Sequence, residues 1–577
     1  KKRLLSRNQR LAKQKRREKF GIQIPSTYQD CVKFDLEAGN NKWQESIDKE
    51  MSNLERLKCF KFHDPETEFP ESEGWQEAKL KMIWDVKSED RRYKSRLVAG
   101  GHLVDSSNVN TYSSQVDSLS VFLLFLIAQH QKLNLMTADV GNAFPTAPNQ
   151  EKVWCWAGDV FGKHKGSKVE IQRALYGLAG SSRAYMDFFA DTLASLKFRP
   201  SRADPDLWMR LDDDGKGYSY IATHVDDLIV VAKKPEDWIS LIEQEFALRN
   251  IEEEPKYYLG TSLRRIKDGR ILMNSGSYIN EVLRKYESKH GLTLHQNHIP
   301  MHPECRPEKD TSEFLGTAEH KEFQHIIGLC QWVVLTGRID IAYAVSSLSR
   351  FSASPRRNHL EMARYILGYL KKYKSKGLIV DSRPPRIIAS EEPKQRMEDF
   401  THQYKYYKEE LDPMFPVAKV EELQITIFSD SDHAHDLVTG RSITGLIAFV
   451  GSMPVYWKSK RQTSVHTSTF GAEFTALKDA VALAIRLRYH LRSMGASVTK
   501  PADILVDNKS VVLNTTNPAS SLNKKSIALA YHFVRQHQAG KVVSINHIRS
   551  EDNYADILTK PLGQTAFNNL VNEFMTR

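Results

Sequence analysis

The stretch from Leu207 to Ala232 constrains this chain more than any other. Leu207 to Leu211 is a short apolar run, closed by the turn-forming string Asp212-Asp213-Asp214-Gly215-Lys216-Gly217. Tyr218 to Val225 is a second β-rich run and Leu228-Ile229-Val230-Val231 a third. Runs so closely spaced predict a β-meander, with Asp226-Asp227 at its second turn. Two like charges at a tight turn repel each other. A divalent cation removes the repulsion, and magnesium takes hard oxygen ligands while leaving positions for phosphate oxygens and water. An ordinary solvated turn is the alternative, since Asp-Asp pairs are common. Two-metal phosphodiester chemistry needs carboxylates that bridge both ions, so a third acid should come from a neighbouring strand. Leu133 to Val140 is a candidate strand, and it carries Asp139 near its end.

The chain has 577 residues, too many for one core, and roughly 100 to 200 residues per domain predicts several modules. Its net charge is +11, from 82 Lys and Arg against 71 Asp and Glu. A basic excess suits a partner with a phosphate backbone, because neutralised phosphates release counterions. A merely soluble basic protein would show the same balance. Five cysteines (Cys31, Cys59, Cys155, Cys305 and Cys330) lie far apart and suggest neither a zinc site nor a disulfide framework. That usage fits a reducing, intracellular compartment. The longest apolar run, near Val121 to Ala128, is too short to cross a bilayer, and no signal peptide is evident. The chain begins on Lys1 rather than Met, as a processed product would.

The chain is expected to fall into four parts: a basic tail or linker over 1–25, a first globular unit over 26–290, a connection and linker over 291–420, and a last domain over 421–577. Trp43 to Leu57 has the spacing of an amphipathic helix, and Lys79 to Gly101 of short basic strands. Lys321 to Lys372 is helical in pattern, and Ser382 to Pro416 is polar and Pro-containing, as a linker is. A fresh domain follows. Leu423, Ile425 and Ile427 alternate as in a half-buried strand, and Ile443–Val450, Val455–Trp457, Ile504–Val506 and Val542–Ile545 are further strands. Phe474, Leu477, Val481, Ala484, Leu491 and Met494 recur at helical spacing. The order predicts an α/β layer.

Four acids of this domain fall where strands end or helices begin: Asp430, Glu473, Asp507 and, in a late helix, Asp556. Carboxylates converging from separate elements are what metal-directed hydrolysis of a phosphodiester requires. His433-Ala434-His435 lacks Cys or His partners at zinc spacing and is expected in a solvated loop. His532, His537 and His547 receive no catalytic role.

Several strings, taken in order, carry a resemblance. Tyr93-Lys94-Ser95-Arg96-Leu97-Val98-Ala99, Ala138-Asp139-Val140-Gly141-Asn142-Ala143-Phe144, Ala174-Leu175-Tyr176-Gly177-Leu178, Val225-Asp226-Asp227 and Tyr258-Leu259-Gly260 stand in the first unit. Phe428-Ser429-Asp430-Ser431-Asp432, Ser468 to Phe474, Val506-Asp507-Asn508 and Asn553 to Lys560 stand in the last. Arg338 to Tyr343, Leu348 to Phe351, Pro355 and His359 lie between. Together these resemble the reverse transcriptase and ribonuclease H of copia-type (Ty1/copia, Pseudoviridae-like) long-terminal-repeat retrotransposon Pol polyproteins.

The resemblance implies a multidomain α+β and α/β chain: a right-hand polymerase of fingers, palm and thumb, a connection segment and a C-terminal ribonuclease H-like domain. It implies an enzyme that copies RNA and DNA templates into DNA and hydrolyses the RNA of RNA–DNA hybrids. Asp139, Asp226 and Asp227 would form the polymerase centre, with the Val140 carbonyl as a further ligand, and Asp430, Glu473, Asp507 and Asp556 the nuclease centre. Two Mg2+ ions would serve each, with Mn2+ as the substitute. Arg96, with Lys94 or Lys87, would clamp the incoming triphosphate. Phe144 would exclude a 2′-hydroxyl, Tyr176 and Gly177 would line the same pocket, and Leu259 and Gly260 would steady the primer end. Implied partners are an RNA template, a DNA or tRNA primer, the RNA–DNA hybrid and dNTPs, then integrase and capsid proteins of the same element and a second copy of the chain; a membrane is not among them. The implied place is the cytoplasm, within virus-like particles, with the DNA product destined for the nucleus.

Two departures stand out. His224 occupies a position where the family usually has Tyr, and Ala179-Gly180-Ser181-Ser182 lacks the usual Lys-Gln and Pro. Two other readings therefore stay open: a domesticated or defective copy that only binds RNA or scaffolds an assembly, and a nuclease with a silent polymerase.

Overall fold

The computed structural model describes residues 17–87, 91–385, 404, 407–517, 520 and 527–576. Most of the basic tail and the middle of the expected linker lie outside them. Strand Leu207–Leu211, strand Tyr218–His224 and strand Asp227–Ala232 form the expected meander, pairing antiparallel in sequence. Asp227 belongs to the third strand, so the turn consists of Val225 and Asp226 alone, between the paired His224 and Asp227. Val225 adopts a φ of 59°, an uncommon conformation for a β-branched residue. Strand Asn134–Val140 lies beside Asp227–Ala232, and strand Leu248–Glu253 pairs with it on the other edge. With Arg199–Pro200 these make a six-stranded sheet.

The apolar run that is too short for a membrane is the core of helix Ser118–Gln131, in which every residue from Leu119 to Ala128 is buried. A helix apolar on all sides must be covered on all sides. One side packs on the six-stranded sheet and the other on the last domain, where the Phe122 and Trp457 rings lie 5.6 Å apart. The same apolar core runs unbroken from Leu135 and Ile229 through this helix to Phe474 and Leu487.

Ahead of the sheet, strands Leu80–Lys87 and Arg92–Ala99 form a hairpin packed on helix Lys42–Arg56. After it, the short hairpin Tyr257–Tyr258 and Thr261–Arg265 continues into Ile271–Asn274. Strand Gly377–Val380 closes this small sheet from far along the chain, an element that the sequence reading does not contain. Between them, helix Gly276–His290, helix Thr317–Leu335, helix Ala342–Ser349 and helix Arg357–Lys372 share one core.

In the last domain, strands Ile425–Asp436, Arg441–Val450 and Met453–Arg461 are antiparallel, and Ala502–Val506 and Val543–His547 run parallel to the first. Strand Ile425–Asp436 is not half-buried, as its alternation suggests, but buried on both faces from Ile425 to Ser431. It sits centrally, with helix Thr469–Ser493 on one face and the helix bundle's core on the other. Asp556 stands in a single 3-10 turn, Tyr554–Leu558, rather than in a longer helix.

Candidate functional site

Antiparallel register decides how the three acids of the first unit meet. Asp139 pairs directly with Asp227, and the Val140 amide donates to the Asp226 carbonyl at 2.7 Å. Cross-strand partners project to the same face, so Asp139 and Asp227 emerge together beside the turn that carries Asp226. Partial burial and the Asp226 charge raise the Asp139 carboxyl above its usual range. Desolvation among apolar strands, with the charges of Asp226 and Asp139, lifts Asp227 to about 6 although its tip reaches solvent.

Cations face these acids. Arg249, on strand Leu248–Glu253, pairs with Asp139 from the other side, and a Cβ on Gly141 would come within 2.5 Å of its Nε. Sequence reasoning missed Arg249, because a register shift after it hides the pairing. Arg249, Lys94 and Arg96 all act on the Asp139 carboxyl. Lys94 and Arg96 alternate along strand Arg92–Ala99, which puts them on one face; burial and the Arg96 charge lower the Lys94 ammonium. Lys87 lies on that face also but is exposed at the hairpin's end.

The Arg96 guanidinium lies 5.0 Å from the centre of the Tyr176 ring, and Phe144 lies 5.4 Å from the same ring. The Tyr176 carbonyl accepts from the Ala99 amide at 2.7 Å. Gly177 follows with a φ of 94°, and a Cβ there would stand 2.1 Å from the Ala99 carbonyl oxygen. Glycine is required on both counts. Leu259 and Gly260 form the two-residue turn of the short hairpin, both at positive φ. Gly260 lets the Trp332 ring approach: a Cβ would meet it at 2.7 Å. The Asp227 charge acts on Tyr257 and Tyr258 of that hairpin, which places it beside the acids. His224, paired in register with Asp227, acts on its carboxyl.

The second group is tighter. Asp430, Glu473 and Asp507 bring one carboxylate oxygen each within 4.8 Å of the others; among the described residues no other trio does so, the first unit's acids included. Asp430 lies on the central strand, Glu473 in the first turns of helix Thr469–Ser493, and Asp507 just beyond strand Ala502–Val506. Burial, then the Asp430 charge, pushes Glu473 up to about 10. Its Oε2 is buried without a hydrogen-bond partner. Burial and Asp556 raise Asp430 to about 7, and burial and Asp430 raise Asp507. Asp556 is raised by burial while Lys560 Nζ, one helical turn on, donates to its Oδ1 at 3.0 Å. Thr559 Oγ1 donates to Asp430 at 2.5 Å. Buried acids, one with an unpartnered oxygen, are the donor set of a hard divalent cation.

The histidines fall differently. His433-Ala434-His435 is no solvated loop: it continues the central strand, and the His435 side chain is buried against Tyr343. His547 Nε2 touches the Asp507 carbonyl at 3.2 Å, His532 meets the Tyr404 hydroxyl, and His537 bonds the Phe533 carbonyl.

Residues 72–302 match the family model described as reverse transcriptase (RNA-dependent DNA polymerase). The chain is 27% identical over 491 residues to the retrovirus-related Pol polyprotein from transposon RE1 of Arabidopsis thaliana, covering 84% of this chain and 30% of that one. To the corresponding polyprotein from transposon TNT 1-94 of Nicotiana tabacum it is 22% identical, over 91% of this chain and 37% of that one. Along most of its length the chain is similar to these retrotransposon Pol polyproteins. A solved structure of the foamy viral protease-reverse transcriptase, in complex with double-stranded DNA, is similar with a TM-score of 0.47 at 11% identity, over 89% of this chain and 70% of that one. The chain spans about a third of the curated polyproteins it matches. Its fold is mixed α/β, the segment matched as reverse transcriptase being followed by a last domain built on a five-stranded mixed sheet. No helix among the described residues is long and apolar enough to cross a membrane.

Proposed function

We propose that this chain copies RNA and DNA templates into DNA and hydrolyses the RNA strand of the resulting hybrid. The observation that carries the reading is the pairing of Asp139 with Asp227 across two strands, next to the Asp226 turn. Asp139 and Asp226, with the Val140 carbonyl and Asp227, would hold two magnesium ions, or manganese in their place. Those ions would supply charge neutralisation for phosphoryl transfer. Arg96, braced over Tyr176, and Lys94 present cations to the triphosphate of a bound dNTP. Phe144 shields the sugar side of that pocket, and Leu259 and Gly260 support the primer end. Asp430, Glu473, Asp507 and Asp556 would hold the nuclease pair of ions, which would supply an activated water. Template, primer and hybrid are the substrates; the integrase and capsid proteins of a parent polyprotein, and a second copy of the chain, are candidate partners. A cytoplasmic particle is the proposed setting.

Primer extension on poly(rA)/oligo(dT) with magnesium tests the first activity, and release of RNA fragments from a labelled hybrid tests the second. Asp226→Asn should abolish extension and leave hybrid cleavage at the wild-type rate. Extension by Asp226→Asn at the wild-type rate would refute the metal assignment. A wild-type chain that cleaves hybrid but never extends a primer would instead be a nuclease with a silent polymerase.

A further inference from the structure

The helix bundle reaches into the nuclease domain through a short chain of polar groups. On the central strand, Asp432 follows Asp430 by two residues, so it projects from the same face. Its Oδ2 meets His435 Nδ1 at 2.5 Å. A carboxylate only accepts, so Nδ1 carries the proton. His435 Nε2 lies 2.7 Å from the hydroxyl of Tyr343, on helix Ala342–Ser349. The His435 side chain is 3% exposed, whereas that of Asp432 is 31% exposed. There Lys560 sits among three acids: it bonds Asp556, and the charges of Asp430 and Asp432 act on it.

The same helix is anchored twice more. Ser346 Oγ donates to the Ser459 carbonyl at 2.7 Å, and Arg350 shares Asp436 with Arg461 at 2.8 and 2.6 Å. Those two contacts fix the helix against the sheet, but neither touches the acid cluster. Only the Tyr343–His435 contact leads on to a residue that faces it.

We propose that Tyr343, His435 and Asp432 form a positioning chain through which the helix bundle sets the Lys560 ammonium against the nuclease carboxylates, so that RNA cleavage depends on that helix being docked. With Asp432 held in place, Lys560 bonds Asp556 while the Asp432 charge also acts on it, a second partner that holds the ammonium off the Asp430 oxygens and leaves them to a divalent cation. With Asp432 free to turn, the ammonium settles on Asp430 and Asp556 and competes with that cation. The inference rests on the nuclease reading above.

The test uses the full chain carrying Asp226→Asn, which removes the polymerase centre from metal measurements. Tyr343→Phe deletes one oxygen, His435→Ala deletes the link, and His435→Asn keeps an N–H donor near the Nδ1 position. Magnesium required for half-maximal hybrid cleavage, and Mn2+ affinity by calorimetry, should weaken by about tenfold in His435→Ala, the scale set by lost outer-shell partners of metal ligands. Tyr343→Phe should shift both in the same direction, and His435→Asn should recover part of the loss. The same substitutions in the otherwise wild-type chain should leave primer extension unchanged. Should His435→Ala impair extension as well, Tyr343→Phe, nearly isosteric, decides. Metal dependence and Mn2+ affinity within twofold of wild type for Tyr343→Phe and His435→Ala would overturn the positioning chain. If Glu473→Gln also cleaves hybrid normally, the nuclease reading fails instead.

Discussion

Replacing Glu473 by Gln removes a carboxylate that folding buries beside two others of its own kind. In the unfolded chain this group titrates near 4.5, and in the fold near 10. The unfolded chain therefore loses its proton first, and the folded form binds more protons at every pH between the two values. Stability contributed by the protonated acid is complete below the lower value and is lost as pH rises toward the upper one. Each pH unit in that window is worth about 1.4 kcal/mol. Between about pH 5 and about pH 8 the metal-free wild type should lose up to about 4 kcal/mol through this group. Gln does not titrate, so that loss should disappear. Asp430 and Asp507 contribute to the shift through their charges, which makes this an upper bound. The assay is urea unfolding in EDTA at several pH values, followed by repetition with magnesium. Magnesium should restore the wild type at pH 8 and do little for Glu473→Gln, which should no longer cleave hybrid. Parallel pH dependence for the two proteins, or a variant less stable than wild type at pH 8 without metal, would refute the reasoning.

Phe144→Ala opens the pocket bounded by Tyr176 and Tyr185 and should admit ribonucleotides; unchanged discrimination between dNTP and rNTP in single-nucleotide extension counts against its role. The Asp227 carboxyl, at about 6 without metal, should make magnesium binding weaken as pH falls through that value, so the magnesium needed for extension should rise below about pH 6 as protons compete for the site. A chain ending before residue 421 would expose the outer side of helix Ser118–Gln131 and should be recovered insoluble or aggregated by size exclusion, whereas a soluble, extending fragment would show that the shared core is dispensable.

Legibility followed locality. The meander was readable because its turn residues and three apolar runs are adjacent in sequence, and helix Thr469–Ser493 because its periodicity spans many turns. Asp139 could be nominated but not paired, since register with Asp227, 88 residues on, depends on tertiary packing. The same limit hid Arg249, whose pairing with Asp139 precedes a register shift, and strand Gly377–Val380, whose partner Ile271–Asn274 lies a hundred residues earlier. Lys560 carried a signal: it stands four residues after Asp556, the spacing of a helical ion pair. His435 carried a misleading one. A His-Ala-His string reads as polar and exposed, yet its second ring is buried by Tyr343, a residue the sequence places in another segment.

Helix Ser118–Gln131 explains why the first unit and the last domain are joined so intimately. Its N-cap, Asp117, accepts from Arg486 of helix Thr469–Ser493 at 2.5 Å, and its own amide donates to Asp204. One residue earlier, the Val116 amide donates to the Thr223 carbonyl, on the strand that leads into Asp226. On the same sheet the Tyr220 hydroxyl donates to the Met494 carbonyl, and Ser201, just past strand Arg199–Pro200, donates to Ser493. The long helix of the last domain is thus part of the backing on which the Asp226 turn is held. A helix with no polar face must be covered all round, and here each unit supplies part of that cover, so neither has the freedom of a tethered module. Mutations that loosen Arg486 or Met494 should therefore act on primer extension even though both residues lie in the other domain.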